Sequence, residues 1–355
     1  HCAVALDKAR NVIITLHELA ARASDAVGIN AASLELVKNS LESVTDNMAR
    51  TLVRTARSLI VRDSHDFSVA LCNAAGELVS GGVGIAVHLG SIPNAVGSLP
   101  ASLREGLEPG DIIFMNDPYA GGMHLPDIFV FKPLFLNGKL EGFAAAVAHM
   151  VDIGGRVPGG NAADSTEIFQ EGVRIPPTKL YAKGQLNDSV LALILANVRQ
   201  PDVLLADLHA EIAACNMADL EFTGLSKKMG SAVLRGYMKE LIDYGERMGR
   251  DALKDLTPGC YTFVDHLDDD GVGGPPVKIQ VRVDVRDDGI DVDFAGTSPQ
   301  VRSAINAPLS ITRSSVAFVV KSIIGREIPN NSGFLRLLHV TAPEGSVVNM
   351  AFPAA

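Results

Sequence analysis

Apolar residues recur with helical spacing through Ala31–Ser58, at Leu34, Val37, Leu41, Val44, Met48 and Leu52, and this period predicts a helix with one face on a core. The pattern then changes to short strands. Phe67–Cys72 and Glu77–Ser80 flank the turn Asn73-Ala-Ala-Gly76, which predicts a hairpin. Phe129–Leu136 and Lys139–His149 flank Asn137-Gly138, a dipeptide that favours the tight reversal between antiparallel strands. Ser189–Leu256 returns to the helical period through Leu191, Ile194, Leu195, Val198, Leu204, Leu208, Ile212, Val233, Met238 and Leu241, and predicts several helices packed as a lid or bundle. From Gly259 the period becomes two, over Thr262–His266, Val277–Val285 and Ile290–Phe294, with Asp/Gly turns between, which predicts an antiparallel meander. The expected class is α+β: antiparallel or mixed sheets with β-hairpins and a meander, plus a central helical region.

A seam is expected near Pro258. It would divide a domain of residues 1–258, carrying a helical insertion at about 189–256, from a β-meander domain of residues 259–355. A length of 355 residues is compatible with two compact units. The chain opens on His1 and stops at Phe352-Pro-Ala-Ala355, so both ends are expected to be cuts, with the second domain incomplete at its C-terminus.

Charge narrows the possible partners. A net charge of -10, no Trp and 5% aromatic residues leave neither a basic stripe for phosphates nor a stacking surface for bases, which argues against nucleic acid. The most apolar windows, Phe143–Val151 and Ser315–Ile324, fall short of the roughly 20 residues a bilayer span requires. Cys2, Cys72, Cys215 and Cys260 are scattered without a Cys-x-x-Cys pair, which fits a reducing cytoplasm better than a disulfide scaffold or a thiolate metal site.

The chemistry concentrates in two stretches rich in Gly and Pro. His124 and Asp127 lie in Asn116-Asp-Pro-Tyr-Ala-Gly-Gly-Met-His-Leu-Pro-Asp127, and His149 and Asp152 lie in Ala148-His-Met-Val-Asp-Ile-Gly-Gly155. A catalytic divalent cation needs a few imidazole nitrogens and carboxylate oxygens with one position left open, and His124, Asp127 and His149 supply such a set. The Asn137-Gly138 reversal should bring the ends of its two strands together. Asp117, Asp152 and, from the Arg62-Asp63-Ser-His-Asp66 loop, Asp63 or Asp66 are further oxygen donors or partners that would orient the imidazoles. His88 follows the run Gly81-Gly-Val-Gly84 and is a candidate to line the pocket.

Other motifs are absent or weak. The glycines match neither a dinucleotide fingerprint nor a phosphate-binding loop, and there is no nucleophile elbow or His-Glu-x-x-His helix. Asp268-Asp-Asp270-Gly271 lacks the ligand spacing of a calcium loop and reads as a solvated turn. Thr166–Pro177, with two acids, an arginine and a Pro-Pro exit, is either a substrate-binding or a simply packed loop.

Several segments together resemble the hydantoinase B/oxoprolinase family: Asn116–Ile128, Arg62-Asp-Ser-His-Asp-Phe-Ser68, Ala148–Gly155, Glu167-Ile-Phe-Gln-Glu-Gly172, Leu193–Arg199, Asp291–Gln300 and Ile305-Asn-Ala-Pro308. That family includes the B component of N-methylhydantoinase, the C-terminal part of 5-oxoprolinase, caprolactamase, and the alpha subunits of acetone and acetophenone carboxylases. The resemblance implies metal ligands at His124, Asp127 and His149, with Asp63 as an additional one. Asp63 stands where many relatives have Glu, and Met123 where many have Thr.

The resemblance also implies a partner subunit of actin-like ATPase fold that uses ATP and magnesium to phosphorylate an amide or enol oxygen. The expected role is the subunit of a cytoplasmic, ATP-dependent cyclic amidase that holds manganese, iron or zinc. It would open a hydantoin, 5-oxoproline or lactam ring, with Asp152 or Asp63 assisting proton transfer and His88 as a further catalytic candidate. The alternatives are a subunit of an ATP-dependent ketone carboxylase and a non-catalytic scaffold for the ATPase.

Overall fold

The computed structural model describes residues 30–82 and 84–355, together with the backbone of 2–6 and 12–16. Strands β1 (Cys2–Leu6) and β2 (Val12–Leu16) pair antiparallel. Helix α1 (Ala31–Thr55) starts at Asn30, whose side chain accepts from the Ser33 amide while the Ser33 hydroxyl receives the Asn30 amide, and it buries the predicted stripe from Leu34 to Leu52. A single turn, α2 (Leu59–Arg62), leads into β3 (Phe67–Asn73) and β4 (Leu78–Gly81). Then follow α3 (Ala86–Gly97), α4 (Ala101–Glu105), β5 (Ile112–Met115), β6 (Asp127–Leu136), β7 (Lys139–His149), β8 (Thr178–Ala182) and β9 (Gln185–Leu186). The seven strands from β3 to β9 form one sheet in the order β4-β3-β7-β6-β5-β8-β9, and each neighbouring pair is antiparallel.

The β6–β7 reversal is the predicted one. Asn137 and Gly138 both have positive φ, 52° and 76°, as a tight turn matching strand twist requires. Both strands are apolar almost throughout because both faces of the sheet are covered. On one face Phe67, Val69, Leu71, Ile128, Val130, Ala144, Ala146 and Ala148 join the core with α1 and the following helices α5 (Asp188–Leu195), α6 (Pro201–Met229) and α7 (Ser231–Leu253). The Ala residues of β7 leave room for α6 to lie close, and Cys215 Sγ sits 3.7 Å from the Ala144 carbonyl oxygen. The predicted helical region is therefore a structural layer of the core rather than a lid. On the other face Ala70, Cys72, Phe129, Phe131, Ala145 and Val147 pack beneath Ile92, Ala95 and Val96 of α3.

Beyond Pro258, β10 (Gly259–Leu267), β11 (Val277–Arg286) and β12 (Gly289–Asp293) form the expected antiparallel meander. Helices α8 (Leu309–Ile324) and α9 (Ser332–Leu335) precede β13 (Leu338–Thr341), which adds to β12 in parallel and makes this second sheet mixed. Segments after Pro258 also reach the first sheet: α8 packs on α3, and the carbonyls of Pro353 and Ala354 accept from the Ile168 amide and the Tyr119 hydroxyl. Among the described residues no helix is long and apolar enough to cross a membrane.

Candidate metal centre

Strand register brings the site together. Asp127 pairs with His149 across the hairpin, and the His149 amide donates to the Asp66 carbonyl at 3.1 Å, so all three backbones lie in one row at the sheet end. Side chains alternate along a strand, so Asp127 shares the face of Phe129 and Phe131, and His149 that of Val147. That is the α3 face. The start of α3 docks on β3 because Gly84 has no side chain: a Cβ there would run into Ser68 Oγ and the Phe67 carbonyl. The Ile85 amide donates to Phe67 O at 3.2 Å, and His88, one turn on, is delivered over the same sheet end.

Five side chains meet there. Asp127 is 1% exposed, and its Oδ2 lies 3.1 Å from His124 Nε2 and 3.5 Å from His88 Nε2. Its Oδ1 lies 3.3 Å from His149 Nδ1 without a hydrogen bond of acceptable geometry, so this buried oxygen has no partner. His149 Nδ1 and His124 Nε2 approach to 3.1 Å. Asp66 stands at the edge, 3.9 Å from His88 Nε2 and 4.0 Å from His149 Nδ1. Two overlapping donor sets result, His124-Asp127-His149 and Asp66-His88-Asp127, each with ligand atoms within 4.8 Å of one another. Convergent imidazole nitrogens around a buried carboxylate with an unpartnered oxygen fit a divalent cation, because such an oxygen is costly to leave unsatisfied.

The electrostatics point the same way. Burial works to raise the Asp127 carboxyl, yet the His124 charge and the nearby His149 and His88 groups outweigh it and hold it well below the usual carboxylate range. His124 is raised: burial opposes its charged form, but Asp127, with Asp66 and Glu171 further out, prevails. Asp127 is thus a fixed anion.

Two expected residues lie elsewhere. Asp63 ends α2 on the exposed surface and belongs to neither donor set; Asp66, one step before β3, joins one of them by virtue of the β3–β7 register. Asp152 is buried, but its carboxylate is already occupied. Oδ1 accepts from Arg199 Nη1 at 2.9 Å and the Gly159 amide at 3.1 Å, and Oδ2 from the amides of Arg199 at 2.7 Å and Gly154 at 3.1 Å. Burial pushes that carboxyl up, but the Arg199 and glycine donors win and keep it ionised. Asp152 is accordingly the clamp of the 152–160 loop. His88, placed at the pocket wall by its sequence context, is a full member of the donor cluster, with Nδ1 buried and unpartnered.

Spacing alone gives no signal for Glu171 within its loop. Gly155 and Gly160, both at positive φ, let the 152–160 loop close over the Glu171 carbonyl, and the Arg156 amide donates to Gln170 O at 2.8 Å. Burial pushes the Glu171 carboxyl up to about 7, opposed only by the His124 charge. The acid lies close enough to His124 for each to perturb the other.

The hydantoinase B/oxoprolinase family model matches residues 30–355, and the chain belongs to that family. It is 33% identical over 327 residues to the caprolactamase beta chain of Pseudomonas jessenii, spanning 92% of this chain and 56% of the relative. It is 31% identical over 340 residues to a 5-oxoprolinase of Pestalotiopsis fici, spanning 92% of this chain and 26% of that protein. The crystal structure of the ATP-dependent caprolactamase from Pseudomonas jessenii superposes with a TM-score of 0.87 at 33% identity, covering 92% of this chain and 56% of the other. The chain thus spans little more than half the length of the caprolactamase relative, and less of the oxoprolinase.

Proposed function

We propose that this chain is the metal-bearing part of an ATP-dependent cyclic amidase that opens a hydantoin, 5-oxoproline or lactam ring. The observation that carries the proposal is the Asp127 carboxylate, buried, anionic and short of one partner, with His124, His149 and His88 nitrogens around it. Caprolactamase and 5-oxoprolinase, both named for ring amides, support the substrate class. That the caprolactamase relative is the beta component of its enzyme supports a partner, which we take to be an actin-like ATPase that binds ATP and magnesium, in the cytoplasm where ATP is supplied. The lack of a phosphate-binding loop in the sequence accords with ATP being held on that partner.

His124, Asp127 and His149 would hold the cation, with Asp66 and His88 beside them; manganese, iron and zinc all suit this donor set. When bound, the cation supplies Lewis acidity to the carbon–oxygen bond under attack and to water. Asp127 fixes the orientation of the imidazoles. Glu171 titrates near neutrality and takes over the proton-handling role expected of Asp152 or Asp63: it accepts a proton from the attacking water and returns it to the ring nitrogen as that nitrogen leaves. Phosphorylation of the amide oxygen by the partner makes the ring carbon more electrophilic; departure of the ring nitrogen then leaves an acyl phosphate, which a second water cleaves to the open-chain carboxylate and inorganic phosphate.

The test uses the full-length protein assembled with its ATPase partner. His124→Ala should abolish ring opening of lactam, 5-oxoproline and hydantoin substrates while leaving part of the ATPase activity. Full ring opening by that variant, or ATP consumption accelerated by acetone with bicarbonate and by no cyclic amide, would overturn the assignment.

A further inference from the structure

Two arginines spend their donors inside this chain. Arg199 donates to the Asp152 carboxylate and to the carbonyls of Gly154, Gly155 and Val157, and Arg235 makes a two-pronged pair with Glu141. Arg174 is held by ring contacts instead of by its donors. Among the described residues its guanidinium makes no hydrogen bond, and the nearest carboxylate oxygen, Asp117 Oδ2, is 3.8 Å from Nε. Its carbon Cζ lies 4.8 Å from the Phe352 ring centroid and 5.7 Å from that of Tyr119. Tyr119 and Phe352 meet edge to face at 5.5 Å, Phe169 closes on Phe352 at 5.6 Å, and the Tyr119 hydroxyl donates to the Ala354 carbonyl. Aromatic contact restrains the guanidinium without using its five N–H donors.

The backbone of Arg174 is clamped as well. The fully buried Asn116 side chain donates to Val173 O at 2.9 Å and accepts from the Ile175 amide at 2.6 Å, gripping Arg174 on both sides, and the Asn116 amide donates to Ile175 O at 3.0 Å. The same Asn116 Nδ2 donates to Leu125 O at 2.7 Å, inside the His124–Asp127 segment. One buried side-chain amide therefore ties the backbone on both sides of Arg174 to the segment that carries two candidate ligands. Glu171 lies three residues before Arg174 in the same loop, with its carbonyl under Gly155 and Gly160.

We infer that Arg174 is the oxyanion-binding residue of this site, receiving a carboxylate or phosphoryl group of the ligand whose reacting carbon lies at the metal cluster. The inference deepens the proposed function and rests on it. A planar fork of donors, oriented by rings, making no hydrogen bond among the described residues and tied through Asn116 to the His124–Asp127 segment, matches the two-pronged geometry of such anions. Asp117 is the acid that approaches it, and a bidentate ligand displaces that 3.8 Å contact. The two sources of the anion are the substrate's own carboxylate and the phosphoryl group added by the ATPase.

Calorimetric titration of the full-length protein tests the inference without turnover. Inorganic phosphate, 5-oxoproline and the uncharged ring 2-pyrrolidinone are titrated into wild type, Arg174→Met, which keeps an apolar side chain against the rings, and Arg174→Lys, with metal content measured in each. The expected result is that Arg174→Met weakens phosphate or 5-oxoproline at least about tenfold, Arg174→Lys less so, and 2-pyrrolidinone is unchanged. Loss confined to phosphate identifies the phosphoryl group, and loss confined to 5-oxoproline the carboxylate. Equal anion affinity in wild type and Arg174→Met, or no anion binding by the wild type, overturns the inference. Absence of metal from the wild type would instead sink the proposed function.

Discussion

The seven-stranded and four-stranded sheets use the same local grammar and reach opposite ends. Each has a hairpin closed by a two-residue turn, Asn137-Gly138 in the first and Asp287-Asp288 in the second, and each carries acids at or near strand ends. In the first sheet helices cover both faces, so Asp127 loses water and its charge must be answered by nearby groups. In the second, β10 is exposed along its whole length, and Arg286 pairs with Asp291 and Asp288 in solvent, where such pairs are worth little. Burial, rather than the presence of acids on a hairpin, turns charged side chains into a site.

The contrast can be broken most severely by truncating one aromatic residue in each sheet. Phe131→Ala, fully buried between β6 and α3, should cost about 3–5 kcal/mol of unfolding free energy. Phe263→Ala, 65% exposed on β10, should cost less than about 0.5 kcal/mol. Equal losses in chemical denaturation would erase the distinction between the sheets.

A subtler effect concerns pH. The Glu171 carboxyl is raised in the folded protein to about 7 from an ordinary 4.5, so the folded state holds its proton more tightly than the unfolded state does. Its contribution to stability is therefore fully present below about pH 4.5 and is lost as pH rises to about 7, a change of up to about 3 kcal/mol. In chelator-treated protein, Glu171→Gln should remove that part of the decline between pH 4.5 and 7. Identical pH profiles for variant and wild type would show that burial does not hold the proton on this acid.

A small effect is expected at the surface of the first sheet's own loops. Asp63→Ala, on the exposed end of α2, should change metal content and stability within measurement error, whereas Asp66→Ala should lower metal affinity by about 10–100-fold. Equal loss of metal in the two variants would restore Asp63 to the site.

Much of this was legible in the chain. The helical stripe of α1, the Asn137-Gly138 reversal and the gathering of His124, Asp127 and His149 follow from periodicity and turn chemistry, which are local properties. The rest depends on long-range partners. Asp66 stands at the cluster because the His149 amide bonds its carbonyl, Asp152 is occupied by Arg199 47 residues away, and His88 arrives only because Gly84 lets α3 settle on β3. Glu171 and Arg174 gain meaning from Gly155, Gly160 and Asn116, whose contacts no spacing rule encodes.

The most direct test of the central claim is the metal content of the full-length protein purified with its partner, wild type against Asp127→Asn. The wild type should hold about one equivalent of manganese, iron or zinc and the variant almost none, because its neutral side chain no longer draws the three imidazoles onto a cation. Undiminished metal in Asp127→Asn, or a wild type that holds none, would contradict it.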